Sequence, residues 1–206
     1  MKTLLISLSI LAGSPAHADP DATDVRSVAA FHGLRVTAVI DVDVTIGATT
    51  RVELRGPKDW LAKLETRVED GSLVLAMPGH YNHVPKLHAT ITTPGLDAIV
   101  LSGVGDIQAT KLAEKALDVK VSGVGTVTLT GAAGALELGV SGVGDVHAKE
   151  LTSRSAHVHL SGNGNAQIRA TEEVDASVSG IGNIVVVGKP ATVRKHVSGM
   201  GHVRVE

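Results

Sequence analysis

Leu101-Ser102-Gly103-Val104-Gly105-Asp106-Ile107-Gln108-Ala109 returns as Val121-Ser122-Gly123-Val124-Gly125-Thr126-Val127-Thr128-Leu129, and again as Val140-Ser141-Gly142-Val143-Gly144-Asp145-Val146-His147-Ala148. Its centre, Ser-Gly-x-Gly, occurs six times, beginning at Ser102, Ser122, Ser141, Ser161, Ser179 and Ser198. The intervals are 20, 19, 20, 18 and 19 residues. A steady period near 20 residues means that one small structural unit is stacked on itself.

Taking each motif serine as zero, position −1 holds Leu101, Val121, Val140, Leu160, Val178 and Val197. Position −3 holds Ile99, Val119, Leu138, Val158, Ala176 and Lys195. Position +5 reads Ile107, Val127, Val146, Ala166, Ile184 and Val203, and +7 reads Ala109, Leu129, Ala148, Ile168, Val186 and Val205. These columns share one parity, the two-residue period of β-structure with one buried face. The motif glycines have that same inward parity and are read as the place where the wall bends or closes on its own interior. They account for 12 of the 23 glycines, so the glycine content belongs to the repeat rather than to linkers. One turn of about 20 residues, advancing by a strand spacing of about 4.8 Å, is the geometry of a parallel β-helix. A β-sandwich is the alternative, but hairpins reverse direction and do not stack like columns on like.

Before the repeats, Leu34, Val36, Ala38 and Ile40 alternate with other residues, and Val42, Val44 and Ile46 keep the parity. Gly47-Ala48 turns the chain, and Val52 and Leu54 alternate until Gly56-Pro57. Asp59 is positioned to cap a short helix through Trp60, Leu61 and Leu64. Asp70-Gly71 marks a hairpin between 66–69 and 72–76, residues 78–85 read as a loop, and a strand follows from Leu87 to Thr92. Residues 31–206 thus read as a single domain, with N-terminal strands over 31–95 and about six rungs over 96–206.

Met1-Lys2-Thr3, an apolar run from Leu4 to Ala12 and Ala16-His17-Ala18 have the order of a secretory signal peptide cleaved after Ala18. Residues 19–30 read as a flexible lead-in, and no later run reaches the roughly 20 apolar residues of a membrane span. The chain has no cysteine, so an exported product holds its fold without disulfides, and a lipid anchor on cysteine is excluded. Removal of 1–18 takes away only Lys2 among the charges, leaving a net charge of about −3, which argues against nucleic acid or acidic membranes as partners. Phe31, Trp60 and Tyr81 are the only aromatic residues, and all precede the repeats.

The six ordered Ser-Gly-x-Gly copies, the strand region from Phe31, and Val185-Val186-Val187-Gly188-Lys189-Pro190 followed by Val197-Ser198-Gly199-Met200-Gly201 resemble the bacterial head-GIN domain, the family of auto-transporter adhesin heads. The resemblance covers nearly all of the chain after residue 18. It implies a right-handed β-helix on an exported protein and supplies no established ligand. Family members usually carry serine between the two glycines. Here that position holds Val104, Val124, Val143, Asn163, Ile181 and Met200.

Strand parity points these side chains outward, where an apolar stack would form a contact surface. Glycine freedom permits the opposite, side chains tucked inward, and weighs toward it. The next outward column, Asp106, Thr126, Asp145, Asn165, Asn183 and His202, has oxygen ligands suited to calcium. It lacks the nine-residue repeat of calcium-binding β-rolls, so polar solvation is the better reading. His157 and His159 share a strand face, with His196 two rungs beyond His159, and His80 and His83 share a loop. Two rungs, about 9.6 Å, is too far for His159 and His196 to share one zinc ion, so exposed polar histidines are expected.

No Gly-x-Ser-x-Gly elbow or cysteine nucleophile is present, the acidic residues read as scattered among the columns, and no aromatic platform for a sugar stands in the repeats. No catalytic, cofactor or metal residue is therefore assigned. The expected function is a non-enzymatic exported adhesion or interaction module with an unidentified envelope or surface ligand, and a homo-oligomer is compatible with it. The alternatives are a structural protein assembling through the strand edge at Val203-Arg204-Val205-Glu206, and third a weak polysaccharide-active enzyme.

Overall fold

The computed structural model describes residues 21–206; the signal peptide expected at 1–18 lies outside them. Repeated inward valine, leucine and isoleucine make each turn an extended wrap with its apolar side chains inside. The repeats form β8 (Ala98–Leu101), β9 (Ile107–Val121), β10 (Val124–Val140), β11 (Val143–Leu160), β12 (Ala166–Val178), β13 (Ile181–Val187), β14 (Thr192–Val197) and β15 (Met200–Val205). All pair in parallel with the strand one turn away. The chain is a β-solenoid of this parallel type.

The inward columns stack in register. Val127 lies between Ile107 and Val146, and Val140 between Val121 and Leu160. From β8 through β13 these columns are fully buried in one continuous core. Burial of each such side chain contributes about 1.5–3 kcal/mol. Only two polar side chains are buried among the described residues, Thr93 and Ser153, and each donates to backbone carbonyls.

The strands before the repeats are not a separate region. β2 (Gly33–Val36) pairs in parallel with β8, Val39 bridges Val104, and β3 (Asp41–Ile46) pairs in parallel with β9. Val36-Thr37-Ala38-Val39-Ile40-Asp41-Val42 is therefore a rung aligned with Leu101-Ser102-Gly103-Val104-Gly105-Asp106-Ile107, but without the glycines. On its other side, β2 pairs with β6 (Ser72–Ala76) and β3 with β7 (His88–Thr93). The chain lays this rung first, then the one beneath it, and crosses back to begin β8. It sits between two rungs that follow it in sequence.

This rung explains the glycines. A Cβ on Gly103 would overlap the Ala38 carbonyl, one on Gly105 the Ile40 carbonyl, and one on Gly123 the Gly103 carbonyl. The same clash recurs at Gly142, Gly162, Gly180 and Gly199. The demand is thus along the stacking axis, against the backbone of the turn beneath, and not toward the interior as parity suggests. Beneath Ala38 and Ile40, the chain leaves the wall between β6 and β7 as the 77–87 loop, so both side chains find room and are buried.

β4 (Arg51–Gly56) pairs antiparallel with β7, β1 (Ala22–Arg26) with β4, and β5 (Glu65–Glu69) with β6. The β5–β6 hairpin turns at Asp70 (φ 49°) and Gly71 (φ 73°), as that dipeptide predicts. Residues 22–26, expected to be flexible, are ordered by backbone pairing to an edge strand rather than by an apolar pattern. Arg26 Nη2 also donates to the Leu61 carbonyl at 2.8 Å. The helix α1 is short, Lys58–Leu61, and Asp59 does not cap it: Pro57 occupies the N-cap and Asp59 lies in the first turn. Leu61 and Leu64 are buried as their spacing requires, and Trp60 meets Tyr81 edge-on at 5.2 Å.

The glycine constraint is directional. Gly123→Ala should lower stability by roughly 2–4 kcal/mol in urea unfolding, because the added methyl meets backbone that cannot yield. Ala38→Gly should cost no more than about 1 kcal/mol. Equal losses would show that close approach of the rungs is not what the glycines serve.

Candidate functional site

The residue between the two glycines points outward in every repeat. Val39, Val104, Val124, Val143, Asn163, Ile181 and Met200 form one unbroken ladder of seven positions, each paired with the next. The apolar members are 39 %, 45 %, 48 %, 53 %, 49 % and 71 % exposed, in chain order. The inward alternative is overturned. The carbonyl beneath each motif glycine holds the rung extended, so the side chain between them has only solvent to face. At about 4.8 Å per rung the ridge is roughly 29 Å long. Val39 belongs to it although its rung lacks Ser-Gly-x-Gly; only its spacing before Asp41-Val42 signals this.

Two polar columns flank the ridge. On one side stand the motif serines, all exposed, with Ser122 Oγ donating to Ser102 Oγ at 3.1 Å. On the other, the Asp/Asn column bonds to backbone. Asp41 Oδ1 accepts the Asp106 N–H (3.0 Å), Asp106 Oδ1 the Thr126 N–H (2.8 Å), and Asp145 Oδ1 the Asn165 N–H (2.7 Å). Asn165 Oδ1 accepts the Asn183 N–H at 3.1 Å. Asp41, Asp106, Asp145 and Asn165 therefore each cap the backbone of the next rung. This is a structural role more specific than solvation, and it directs one oxygen of each head along the stack rather than into a shared cation site.

Of the histidines, His202 stands in the Asp/Asn column, paired with Asn183. His157, His159 and His196 are exposed on the opposite run of the rung, and His159 Nδ1 is 2.7 Å from Ser177 Oγ. No group of three metal-ligating side chains is assembled among the described residues. The acidic residues are less scattered than the sequence suggests: Asp118, Glu137, His157 and Asp175 occupy consecutive rungs of one outward column. Asp118, Glu137 and His157, with Asp97 and Glu114, line a shallow trough that also includes Ala116 and Ala135. The column was open to sequence reasoning: its members all sit four residues before a motif serine, beside the apolar −3 column and with outward parity. These side chains are exposed or half-exposed, and Asp118 accepts from Lys120 Nζ at 2.6 Å.

The family model described as "Putative auto-transporter adhesin, head GIN domain" matches residues 30–190. The crystal structure of a putative adhesin from Bacteroides fragilis is similar over 92 % of this chain and 98 % of its own, with 26 % identity and a TM-score of 0.77. Putative adhesins from Parabacteroides distasonis and Parabacteroides merdae share the fold. The first has 23 % identity and a TM-score of 0.56, covering 91 % of this chain and 98 % of its own. The second has 18 % identity and a TM-score of 0.54, covering 91 % and 96 %. No curated protein matches the chain.

The Asp/Asn column should behave as a set of backbone caps. Asp145→Ala should cost about 1–2 kcal/mol in urea unfolding through the orphaned Asn165 N–H, while Asp145→Asn, which keeps the acceptor oxygen, should retain most of the stability. Equal loss in both would assign the effect to charge instead.

Proposed function

The chain belongs to the putative auto-transporter adhesin, head GIN domain family, and from that membership we propose that it is an exported, non-enzymatic interaction module of the cell envelope that engages its ligand through the Val39–Met200 ridge. The observation that carries this reading is the exposure of six apolar side chains in one straight column. Apolar residues scattered singly on a surface need no explanation, but a contiguous file of them, rimmed by polar columns, marks an interaction site. The rigid core behind it preorganises the file, so binding orders few groups. Export is supported by the signal-like order of residues 1–18, with the domain following from about residue 31. Among the described residues no helix is long and apolar enough to cross a membrane.

A second reading, assembly of copies end to end, is favoured by the last rung. β14 pairs only with β12 and β15 only with β13 among the described residues, and Val193 and Val197 are exposed there. Unpaired strand edges of this kind template further pairing. A charge at Val203→Lys should suppress concentration-dependent light scattering if this edge assembles; scattering that persists unchanged removes the reading.

For the ridge, Val104→Ser, Val124→Ser and Val143→Ser combined should leave the fold intact by circular dichroism, because all three side chains face solvent. Binding to isolated cell envelopes and to an immobilised glycan panel should fall about tenfold or more, the loss of roughly 1.4 kcal/mol or more. Undiminished binding of the folded variant would refute the ridge as the contact surface.

A further inference from the structure

We propose that the ridge pairs with the ridge of a second copy, side by side, with the two stacks parallel about a two-fold axis that runs along them. The inference deepens the reading of the ridge as a contact surface and rests on it. Its first support is commensurability. Side chains repeating at the strand spacing of about 4.8 Å can be matched along the whole file only by an object with that repeat, and a second copy has it by construction.

The second support is Asn163, the one polar member of the file. A two-fold parallel to the stack sets every ridge residue opposite itself, so Asn163 meets Asn163 and the two amides can exchange hydrogen bonds. An antiparallel two-fold centred on Val143 sets Asn163 opposite Val124, leaving its amide unpaired against a methyl group. An antiparallel two-fold centred on Asn163 pairs the amides but leaves Val39 and Val104 without partners, so only the parallel arrangement matches the amides and the whole file together.

The flanking columns agree. With parallel stacks, the hydroxyl column of one copy lies opposite the Asp/Asn column of the other, so that Ser102, Ser141, Ser161 and Ser179 face Asp106, Asp145, Asn165 and Asn183. The capping carboxylates Asp106 and Asp145 accept the backbone N–H through Oδ1, which leaves Oδ2 for this. With antiparallel stacks, Asp145 faces Asp145 and like charges repel. One column with its flanks makes a small interface, below the roughly 800 Å² per partner of standard stable complexes. The pairing is therefore weak in dilute solution and strengthened where copies are concentrated on a surface.

The natural absence of cysteine makes the test direct. Val104→Cys and Val143→Cys are made singly, with Thr152→Cys on an exposed position away from the ridge as control, and each is oxidised mildly at high protein concentration. Parallel pairing brings both ridge cysteines onto their own copies, so both should give about tenfold more disulfide dimer than the control. Adding Val124→Asp should return the Val104→Cys yield to the control level. Cross-linking at Val143→Cys alone would overturn the parallel arrangement. Yields equal to the control, or yields insensitive to Val124→Asp, would overturn pairing altogether. If pairing fails while the triple serine variant still loses envelope binding, the ridge stands as a contact surface for another ligand. If pairing is seen and envelope binding is untouched, only the envelope ligand is withdrawn.

Discussion

Every feature of this molecule depends on how closely one turn of backbone can lie on the turn beneath it. Parallel strands stack at about 4.8 Å. At the motif corner the chain brings two α-carbons per turn against the carbonyl oxygens below, so a side chain on either would overlap backbone. Backbone atoms cannot rotate away as a flexible side chain can, and glycine is the residue that fits. The rung at Val36–Val42 reveals the rule by its exception: the wall beneath it opens into the 77–87 loop, and Ala38 and Ile40 stand where glycines stand elsewhere.

That constraint organises the outer surface as well as the inner one. Holding the corner extended leaves three outward positions per rung, and repetition turns them into three straight columns. The Asp/Asn column is drawn into the architecture, because its oxygens cap N–H groups of the adjacent rung. The serine column bonds sparsely. The apolar column between them has no structural partner, although removing such side chains from water is favourable. A soluble solenoid would hold together as well with serine there, as the family pattern usually has it. The apolar ridge is thus the feature of this surface that the architecture does not require.

The interior, by contrast, is apolar. The core is aliphatic from β6 to β13, and its two buried polar side chains are spent on backbone carbonyls. The carboxylates that do gather, at Asp118 and Glu137, lie on an open face. Similarity to the Bacteroides fragilis putative adhesin extends over nearly the full length of both chains.

Much was legible in the sequence because a solenoid makes the chain its own alignment. Period, parity and the inward columns from Ile99 to Val186 follow from residue spacing alone, since each rung repeats the same local problem. The Asp70-Gly71 hairpin was equally readable, because two positive φ angles in succession are a local demand. Tertiary structure decided what depends on neighbours distant in the chain. It intercalated the Val36–Val42 rung between later ones and recruited Ala22–Arg26 by edge pairing. It also settled what the motif glycines avoid. Parity pointed them inward, but the atoms they must not touch belong to another turn about 20 residues away. Only the stacked backbone could show that the residue between them is left facing solvent.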